Sequence, residues 1–142
     1  MTSRKHSTIL TPHTGELGAI VGKDGSTIEM LRSQASREAA RLLKSIVCLK
    51  GSPTATATPQ GEVYLNSTGN PGMATIGSGD VLTGIVASLL SQGMLPIEAA
   101  YTGVFMHGLA GDLAASELGQ RSVMAMDILD RVPDAFKMLE EG

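Results

Sequence analysis

The chain has 142 residues, of which 42% are hydrophobic, and a formal net charge of −3. These values are typical of a single folded domain rather than a disordered chain. Aromatic residues make up only 3% and no basic run occurs, which argues against nucleic acid as a partner. No apolar stretch reaches membrane-spanning length, and the N-terminus lacks the apolar segment of a secretory signal. Cys48 is the one cysteine and cannot form an internal disulfide. We therefore expect a cytoplasmic protein without a membrane partner.

The first segment with candidate chemistry lies at the end of a short predicted strand. Residues 8–10 are β-like, and they stop at a polar turn that carries His13 and Glu16. A strand ending in such a loop resembles the carboxyl edge of a parallel sheet, where ligands usually bind. From these residues alone, a solvated loop histidine is the simpler interpretation of His13. Residues 17–23 are predicted to form a short helical turn.

A longer helix is predicted next, with a capping signal in front of it. Ser26-Thr27-Ile28-Glu29 has the Ser-x-x-Glu form of a capping box. Apolar residues at positions 28, 31, 35, 39 and 42 mark one helix face that runs to about Lys44. The charged side chains lie mostly off that face, and we interpret them as solvated surface rather than a binding patch: Arg32, Arg37, Glu38 and Arg41.

A second strand end carries candidate binding residues. Residues 45–50 predict a buried strand that ends in Lys50-Gly51-Ser52-Pro53-Thr54. The lysine supplies charge, the glycine allows close approach and the hydroxyls supply hydrogen bonds, although an ordinary exposed lysine fits Lys50 equally well. Residues 54–58 and 62–66 predict two strands joined by a hairpin turn at Pro59-Gln60-Gly61.

The centre of the chain, Gly69–Gly84, combines five glycines with the single acid Asp80. Apolar residues at positions 82, 85, 86, 89 and 90 follow helical spacing, so the glycines lead into the start of a helix. A helix N-terminus offers unpaired N–H groups and a partial positive charge, which bind anions. Asp80 in the first turn is either a partner of the helix dipole or a general base or metal ligand, and the pattern alone leaves these alternatives open.

Small residues dominate the helix predicted from about Pro96 to Leu118, which we expect to pack closely against the central helix. His107 on this helix is interpreted as a satisfied core or interface residue rather than a ligand. Beyond it, Ser122 is predicted to cap a short helix through Asp130, and Pro133 to open the last helix.

Three segments together resemble one family. They are Leu10-Thr11-Pro12-His13 with Gly15-Glu16, then Leu49-Lys50-Gly51 with Thr54, then Gly69-Asn70-Pro71-Gly72-Met73-Ala74-Thr75 leading into Gly77-Ser78-Gly79-Asp80-Val81-Leu82-Thr83-Gly84. In this order and spacing they resemble the C-terminal half of the ADP/ATP-dependent NAD(P)H-hydrate dehydratases, which belong to the ribokinase-like superfamily. Related sugar and vitamin kinases share only the Gly-x-Gly-Asp part. The resemblance implies a layered α/β/α fold, with residues 1–142 forming one partial domain whose N-terminal half is missing.

The resemblance also implies a function, the dehydration of hydrated NADH or NADPH driven by hydrolysis of ADP or ATP, with Mg²⁺ bridging the phosphates. Asp80 would be the catalytic base and, with His13, would contact the hydrated nicotinamide nucleotide. The adenine nucleotide would be held by Lys50, Gly51, Ser52, Pro53, Thr54 and Gly79, and an anion hole would be formed by Gly77, Ser78 and Gly79. No dedicated metal ligand is visible in the sequence, and Ile76 stands where the family usually has glycine.

Two other functions remain open at this stage. One is a small-molecule hydroxyl kinase of the same superfamily, and the other is a non-catalytic nucleotide-binding fragment. Because half of the family domain would be missing, we expect either a homo-oligomer or a partner that supplies the other half.

Overall fold

The computed structural model describes residues 4–142, which fall into two compact units. Unit 1 contains the described residues up to Asn66 together with Leu95–Tyr101, and unit 2 contains Ser67–Met94 and Thr102–Gly142. The elements in chain order are β1 Ile9–Leu10, α1 Thr14–Val21, α2 Gly25–Met30, α3 Arg32–Leu43, β2 Ile46–Leu49, β3 Ala55–Ala57, β4 Val63–Leu65, a 3₁₀ turn Pro71–Met73, α4 Ser78–Ser91, α5 Pro96–Leu118 and α6 Ala125–Glu141.

Unit 1 is built on a four-stranded mixed sheet in the order β1-β2-β3-β4. β1 and β2 are parallel, with Leu10 opposite Val47, whereas β2, β3 and β4 are antiparallel neighbours. The parallel pair requires a crossover, and α1, α2 and α3 supply it. The predicted strands and the predicted hairpin between β3 and β4 are therefore confirmed.

Helices α1 to α3 share one core with the sheet. Its buried members are Leu17, Ile28, Ala39, Ala40, Val47, Leu49 and Ala57. The small alanines of α3 let that helix lie close to β2 and β3. Since β2 is buried along its whole length, this strand fixes the position of the loop that follows it.

Two expectations about the helices of unit 1 are wrong. Asp24, not Ser26, is the N-cap of α2, and no side-chain hydrogen bond caps that helix. The single helix expected up to about Lys44 is interrupted at Leu31, whose φ of −123° and ψ of 43° lie outside the helical region. The break separates α2 from α3, and Ile28 of α2 and Ala39 of α3 lie in the same core.

Unit 2 is helical, and the stripe predicted for the central helix is its core face. Leu82, Ile85, Val86 and Leu89 of α4 are buried, and only Leu90 of the predicted five is exposed. Gly103 of α5 explains the close helix contact expected from the small residues, because a Cβ there would lie 2.6 Å from Cγ2 of Val86.

The C-terminal segment forms one helix instead of the two expected. α6 runs continuously from Ala125 to Glu141 with Pro133 inside it, and Ser122 lies outside the helix. Its first turn is capped by Asp127, whose carboxylate accepts a hydrogen bond of 2.8 Å from the Met124 N–H. Buried residues on both sides of the proline, Ile128 and Ala135, hold the helix together across the missing N–H. No helix among residues 4–142 is long and apolar enough to cross a membrane.

Candidate functional site

His13 takes part in a helix capping box, which the sequence pattern predicted at Ser26–Glu29 instead. It is the N-cap of α1, and it forms a capping box with Glu16. The Glu16 N–H donates to Nδ1 of His13 at 3.1 Å, and the His13 N–H donates to the Glu16 carboxylate at 2.8 Å. Because Nδ1 accepts, the neutral ring carries its proton on Nε2, which is 3.4 Å from the second Glu16 oxygen. The ring is exposed, so Nε2–H is available to a ligand.

Glu16 links this histidine electrostatically to the next loop. The hydrogen bond from the His13 backbone N–H lowers the pKa of Glu16, and the positive charge of Lys50 lowers it further. The backbone also joins the two strand ends, because the Lys50 N–H donates to the Pro12 carbonyl at 2.8 Å. His13 and the start of the predicted nucleotide loop are thus brought together in unit 1.

The predicted nucleotide loop, Lys50–Thr54, is exposed along its middle and tied at its ends. The Thr54 hydroxyl donates to the Gly51 carbonyl at 3.2 Å, and the Thr54 carbonyl accepts from the Asn66 N–H at 3.0 Å. The Lys50 ammonium forms no hydrogen bond or salt bridge with any described residue. A half-buried lysine beside an exposed loop is a suitable contact for a phosphate group.

Arg32 is part of this loop's support, and its interpretation as solvated surface is wrong. Its side chain is only 11% exposed. Nε donates to the Pro53 carbonyl and Nη2 to the Leu49 carbonyl, both at 3.1 Å. The sequence gives no signal for this role, because the contacts depend on the break at Leu31 and on how α3 lies over the sheet.

In unit 2, the glycine-rich segment before α4 is anchored by Asp112. This carboxylate accepts from the Gly69 N–H at 3.0 Å and from Nδ2 of Asn70 at 2.9 Å. The Asn70 side-chain oxygen in turn accepts from the Gly72 N–H at 3.0 Å and starts the 3₁₀ turn. Asn70 therefore uses both ends of its amide, one as a donor to Asp112 and one as an acceptor from Gly72.

Glycines of α5 provide the space in which this segment lies. A Cβ at Gly108 would collide with Thr68, and one at Gly111 would collide with the thioether of Met73. The sequence placed Asp112 on a helix of small residues but gave it no function. The two glycines within four positions before Asp112 are the signal that a backbone approaches the helix there.

The start of α4 carries the three amides that the sequence predicts as an anion hole, and they differ in whether they already have a hydrogen-bond acceptor. Gly77 is the N-cap, with a φ of 90° that favours glycine. The Ser78 N–H already donates to the Thr75 carbonyl at 3.2 Å, so it is not available to an anion. Among residues 4–142 the N–H groups of Gly77 and Gly79 have no hydrogen-bond acceptor. Two of the three predicted amides thus remain as donors, and they lie at the positive end of a 14-residue helix.

Ser78 contributes to the site through its side chain. It is buried, and its hydroxyl lies 3.2 Å from Nε2 of His107 on α5. His107 is half-buried, and this hydrogen bond agrees with its interpretation as a satisfied core or interface residue. This pair connects the first turn of α4 to α5.

Asp80 lies in the first turn of α4 and is exposed. Its side chain caps no backbone N–H and forms no salt bridge with any described residue. The simple capping interpretation therefore has no hydrogen bond to support it, and the carboxylate is available to a ligand. Asp80 follows Gly79 directly in the chain. A carboxylate that can accept a proton is therefore adjacent in sequence to a backbone N–H that can donate to an anion.

Two further observations concern the surroundings of these residues. Ile76 is 99% exposed and packs against none of the described residues. Among residues 4–142 no group of three or more His, Cys, Asp or Glu side chains could hold a metal ion.

The comparison with solved structures gives the class of protein. A ribokinase-like superfamily protein from Enterococcus faecalis superimposes with a TM-score of 0.79 and 31% identity, over 92% of this chain and 44% of the other. The mixed sheet, the helical crossover and the glycine-led helix are therefore those of a ribokinase-like α/β fold, as expected from the sequence.

The family follows from residues 1–134, which match the family model described as NAD(P)H-hydrate dehydratase. The chain belongs to this family. It is 49% identical over 133 residues to a bifunctional NAD(P)H-hydrate repair enzyme from Moorella thermoacetica, which covers 94% of this chain. It also matches a crystal structure of ADP/ATP-dependent NAD(P)H-hydrate dehydratase from Bacillus subtilis, co-crystallised with ATP/Mg²⁺, with a TM-score of 0.92 and 32% identity over 96% of this chain. The chain spans 25% of the length of the first of these relatives and 49% of the second.

Proposed function

We propose that this chain takes part in the repair of hydrated NADH and NADPH by dehydration, with ADP or ATP as the co-substrate. The observation that carries the proposal is the unpaired Asp80 carboxylate beside the open amide of Gly79, within the motif by which the chain resembles its family. Both relatives described above are named for NAD(P)H-hydrate repair or dehydration.

The proposed roles divide between the two units. In unit 1, the Lys50 ammonium and the Gly51–Thr54 loop bind the adenine nucleotide, and Nε2–H of His13 donates to the hydrated nicotinamide nucleotide. In unit 2, the Gly77 and Gly79 amides stabilise the charge on the transferring phosphoryl group, and Asp80 contacts the ring alcohol. The Ser78 amide is left out of the anion hole, because it already donates to Thr75.

The chemistry assigned to Asp80 follows from the poor leaving ability of hydroxide. Asp80 accepts the proton of the ring hydroxyl while the oxygen forms a bond to the terminal phosphorus of the nucleotide, releasing AMP from ADP, or ADP from ATP. The carbon–oxygen bond then breaks with phosphate as the leaving group, and the ring releases a proton to water to restore the double bond. The products with ADP are therefore NADH, AMP and phosphate, and the oxygen of the lost water ends in the phosphate.

Mg²⁺ enters this proposal only with the nucleotide. The Bacillus subtilis relative was co-crystallised with ATP/Mg²⁺. Since the described residues provide no cluster of metal-ligating side chains, we assign the ion no protein ligand and no step.

We propose further that a second protein chain, either a partner or another copy of this chain in a homo-oligomer, completes the nicotinamide site, because both relatives are much longer than this chain. Light scattering of the purified chain, alone and with the nucleotide, distinguishes a monomer from an oligomer.

The test of the function is to incubate the purified chain with hydrated NADH and either ADP or ATP. Recovery of the dihydronicotinamide absorbance, with one phosphate released per NADH, supports the proposal. Phosphorylation of members of an alcohol panel without NADH recovery supports a hydroxyl kinase instead. Binding of ADP in calorimetry without any turnover identifies a non-catalytic nucleotide-binding chain.

A further inference from the structure

Arg32 is the one arginine whose guanidinium reaches both ends of the predicted nucleotide loop in the part of the chain that the structure describes. Nη2 binds the carbonyl of Leu49, the last residue of β2, and Nε binds the carbonyl of Pro53 near the loop's far end. The remaining nitrogen, Nη1, donates to Glu29 at 2.8 Å. The guanidinium therefore bridges the two ends of the loop, and 11% of the side chain is exposed.

The loop leaves room for this guanidinium at Gly51. Gly51 has a φ of 152°, and a Cβ on it would overlap the Arg32 guanidinium. A glycine is thus required at this position both for its backbone conformation and for the room it leaves. The position of the Arg32 guanidinium is therefore coupled to the path of the backbone between Leu49 and Pro53 by two hydrogen bonds and by close packing at Gly51.

We propose that Arg32 is a positioning residue for adenine-nucleotide binding, acting through the Lys50–Thr54 loop without touching the nucleotide. The inference rests on the proposed function, since that loop is the proposed nucleotide site. Arg32 binds the two carbonyls, and the loop between them then presents the Lys50 ammonium and the exposed backbone of residues 51–53 in one arrangement before the nucleotide arrives. Pre-ordering of this kind reduces the entropy cost of binding, so its loss weakens nucleotide affinity rather than the chemical step.

Lysine cannot replace this arginine. A guanidinium places two donors on one rigid plane, whereas an ammonium is a compact charge on a flexible stem. Arg32→Lys can therefore retain one carbonyl contact but not hold both ends of the loop. The Glu29 carboxylate takes no part in holding the loop, because it is exposed and contacts only Nη1 of Arg32.

Two matched controls lie close by. Arg37 is on the same helix and donates from Nε to the Gly61 carbonyl at 2.9 Å, in the hairpin turn between β3 and β4. Arg37→Ala therefore removes an arginine–carbonyl bond from α3 without touching the nucleotide loop. Glu29→Gln removes the charge partner of Arg32 but leaves both of its carbonyl bonds intact.

The experiment measures ADP affinity by calorimetry on the full chain, together with hydrogen exchange of the amides in residues 50–54. We expect Arg32→Ala to weaken ADP binding at least about tenfold and to speed exchange in that loop, while both controls stay close to the parent chain. In the dehydration assay, KM for ADP should rise by a similar factor with kcat within about twofold. If Arg32→Ala does not fold, Arg32→Lys provides the test, with an expected weakening of at least about threefold.

The possible failures are distinguishable. If the parent chain binds ADP and the Arg32 variants bind it equally well, the positioning role is refuted and the proposed function stands. If kcat falls while KM for ADP is unchanged, Arg32 acts on the chemical step and the inference is wrong. If the parent chain itself does not bind ADP, the proposed nucleotide site fails and this inference fails with it.

Discussion

Replacing Asp112 with asparagine should destabilise the protein by about 2 kcal/mol, because one carboxylate holds the segment that leads to α4. Both of its oxygens accept a hydrogen bond, one from the Gly69 N–H and one from Nδ2 of Asn70. Asparagine keeps one acceptor oxygen but turns an NH₂ group towards the second donor. One bond is therefore lost, and the other is no longer assisted by charge.

The magnitude follows from the environment of the two donors. A hydrogen bond to a charged acceptor contributes about 1.5–3 kcal/mol. Gly69 is exposed and Asn70 half-buried, so water replaces part of what is lost and the lower end applies. With a urea m-value of about 1–3 kcal/mol/M, a loss of about 2 kcal/mol lowers the unfolding midpoint by roughly 1 M.

Urea unfolding followed by circular dichroism measures this effect. Asp130→Asn is the matched control, because Asp130 is an exposed carboxylate on α6. A midpoint for Asp112→Asn that equals the control would refute the anchoring role. A double-mutant cycle with Asn70→Ala adds a second check, since two residues that share a hydrogen bond should show a coupling energy of about 0.5–3 kcal/mol.

Three further predictions concern packing, pH and thiol reactivity. Gly111→Ala should lower stability by about 1–3 kcal/mol in urea unfolding, since its Cβ meets the Met73 thioether, and Met73→Ala should recover part of that loss; an alanine that stabilises the chain would contradict the contact. The hydrogen bond from the His13 N–H is the main reason why the pKa of Glu16 lies below its ordinary value of 4.5. The charged carboxylate therefore stabilises the fold fully above about pH 4.5, and this contribution is lost as pH falls through the lowered pKa. The melting-temperature difference between the parent chain and Glu16→Gln should therefore shrink as pH falls through the folded pKa, and a pH-independent difference would exclude this contribution. Burial raises the pKa of Cys48 to about 11, so a thiol reagent at pH 8 should label it only after unfolding; rapid labelling of the native chain would show that β2 opens.

The periodic patterns predicted the secondary structure where one element buries its own apolar residues. β2 is continuous in β-branched and apolar residues, and α4 shows its core stripe at Leu82, Ile85, Val86 and Leu89. Such patterns depend on local spacing alone, so they are readable without tertiary information. The boundaries at Leu31 and Pro133 were wrong, because packing on both sides of each residue overrides its local preference.

In the candidate site, the sequence predicted the residues of the motifs but not the residues that support them. The motif residues were readable from the sequence, and the structure adds that the Asp80 side chain is unpaired and that the Ser78 amide is already used. The supporting residues were not readable. Arg32 and Asp112 act on segments 17 or more residues away in the chain, and a solvated charge has the same pattern in sequence as a charge that crosses to a distant loop.

The capping box illustrates how a correct motif can be assigned to the wrong residues. Ser26-Thr27-Ile28-Glu29 has the expected form, but the box is formed by His13 and Glu16. Histidine is not a usual N-cap, and its ring nitrogen accepts the hydrogen bond that a serine oxygen would normally accept. The cap also fixes the tautomer of the neutral ring, because Nδ1 accepts from the Glu16 N–H and the proton is left on Nε2.

The most direct test of the central claim is a comparison of the parent chain with Asp80→Asn in the ADP-driven dehydration of hydrated NADH. If the Asp80 carboxylate takes the hydroxyl proton beside the Gly79 amide, kcat should fall by at least about 10²-fold. The dissociation constant of ADP, measured in parallel, should stay within about twofold. Unchanged turnover in Asp80→Asn would contradict the account, since the proton would then leave by a route in which this carboxylate has no part.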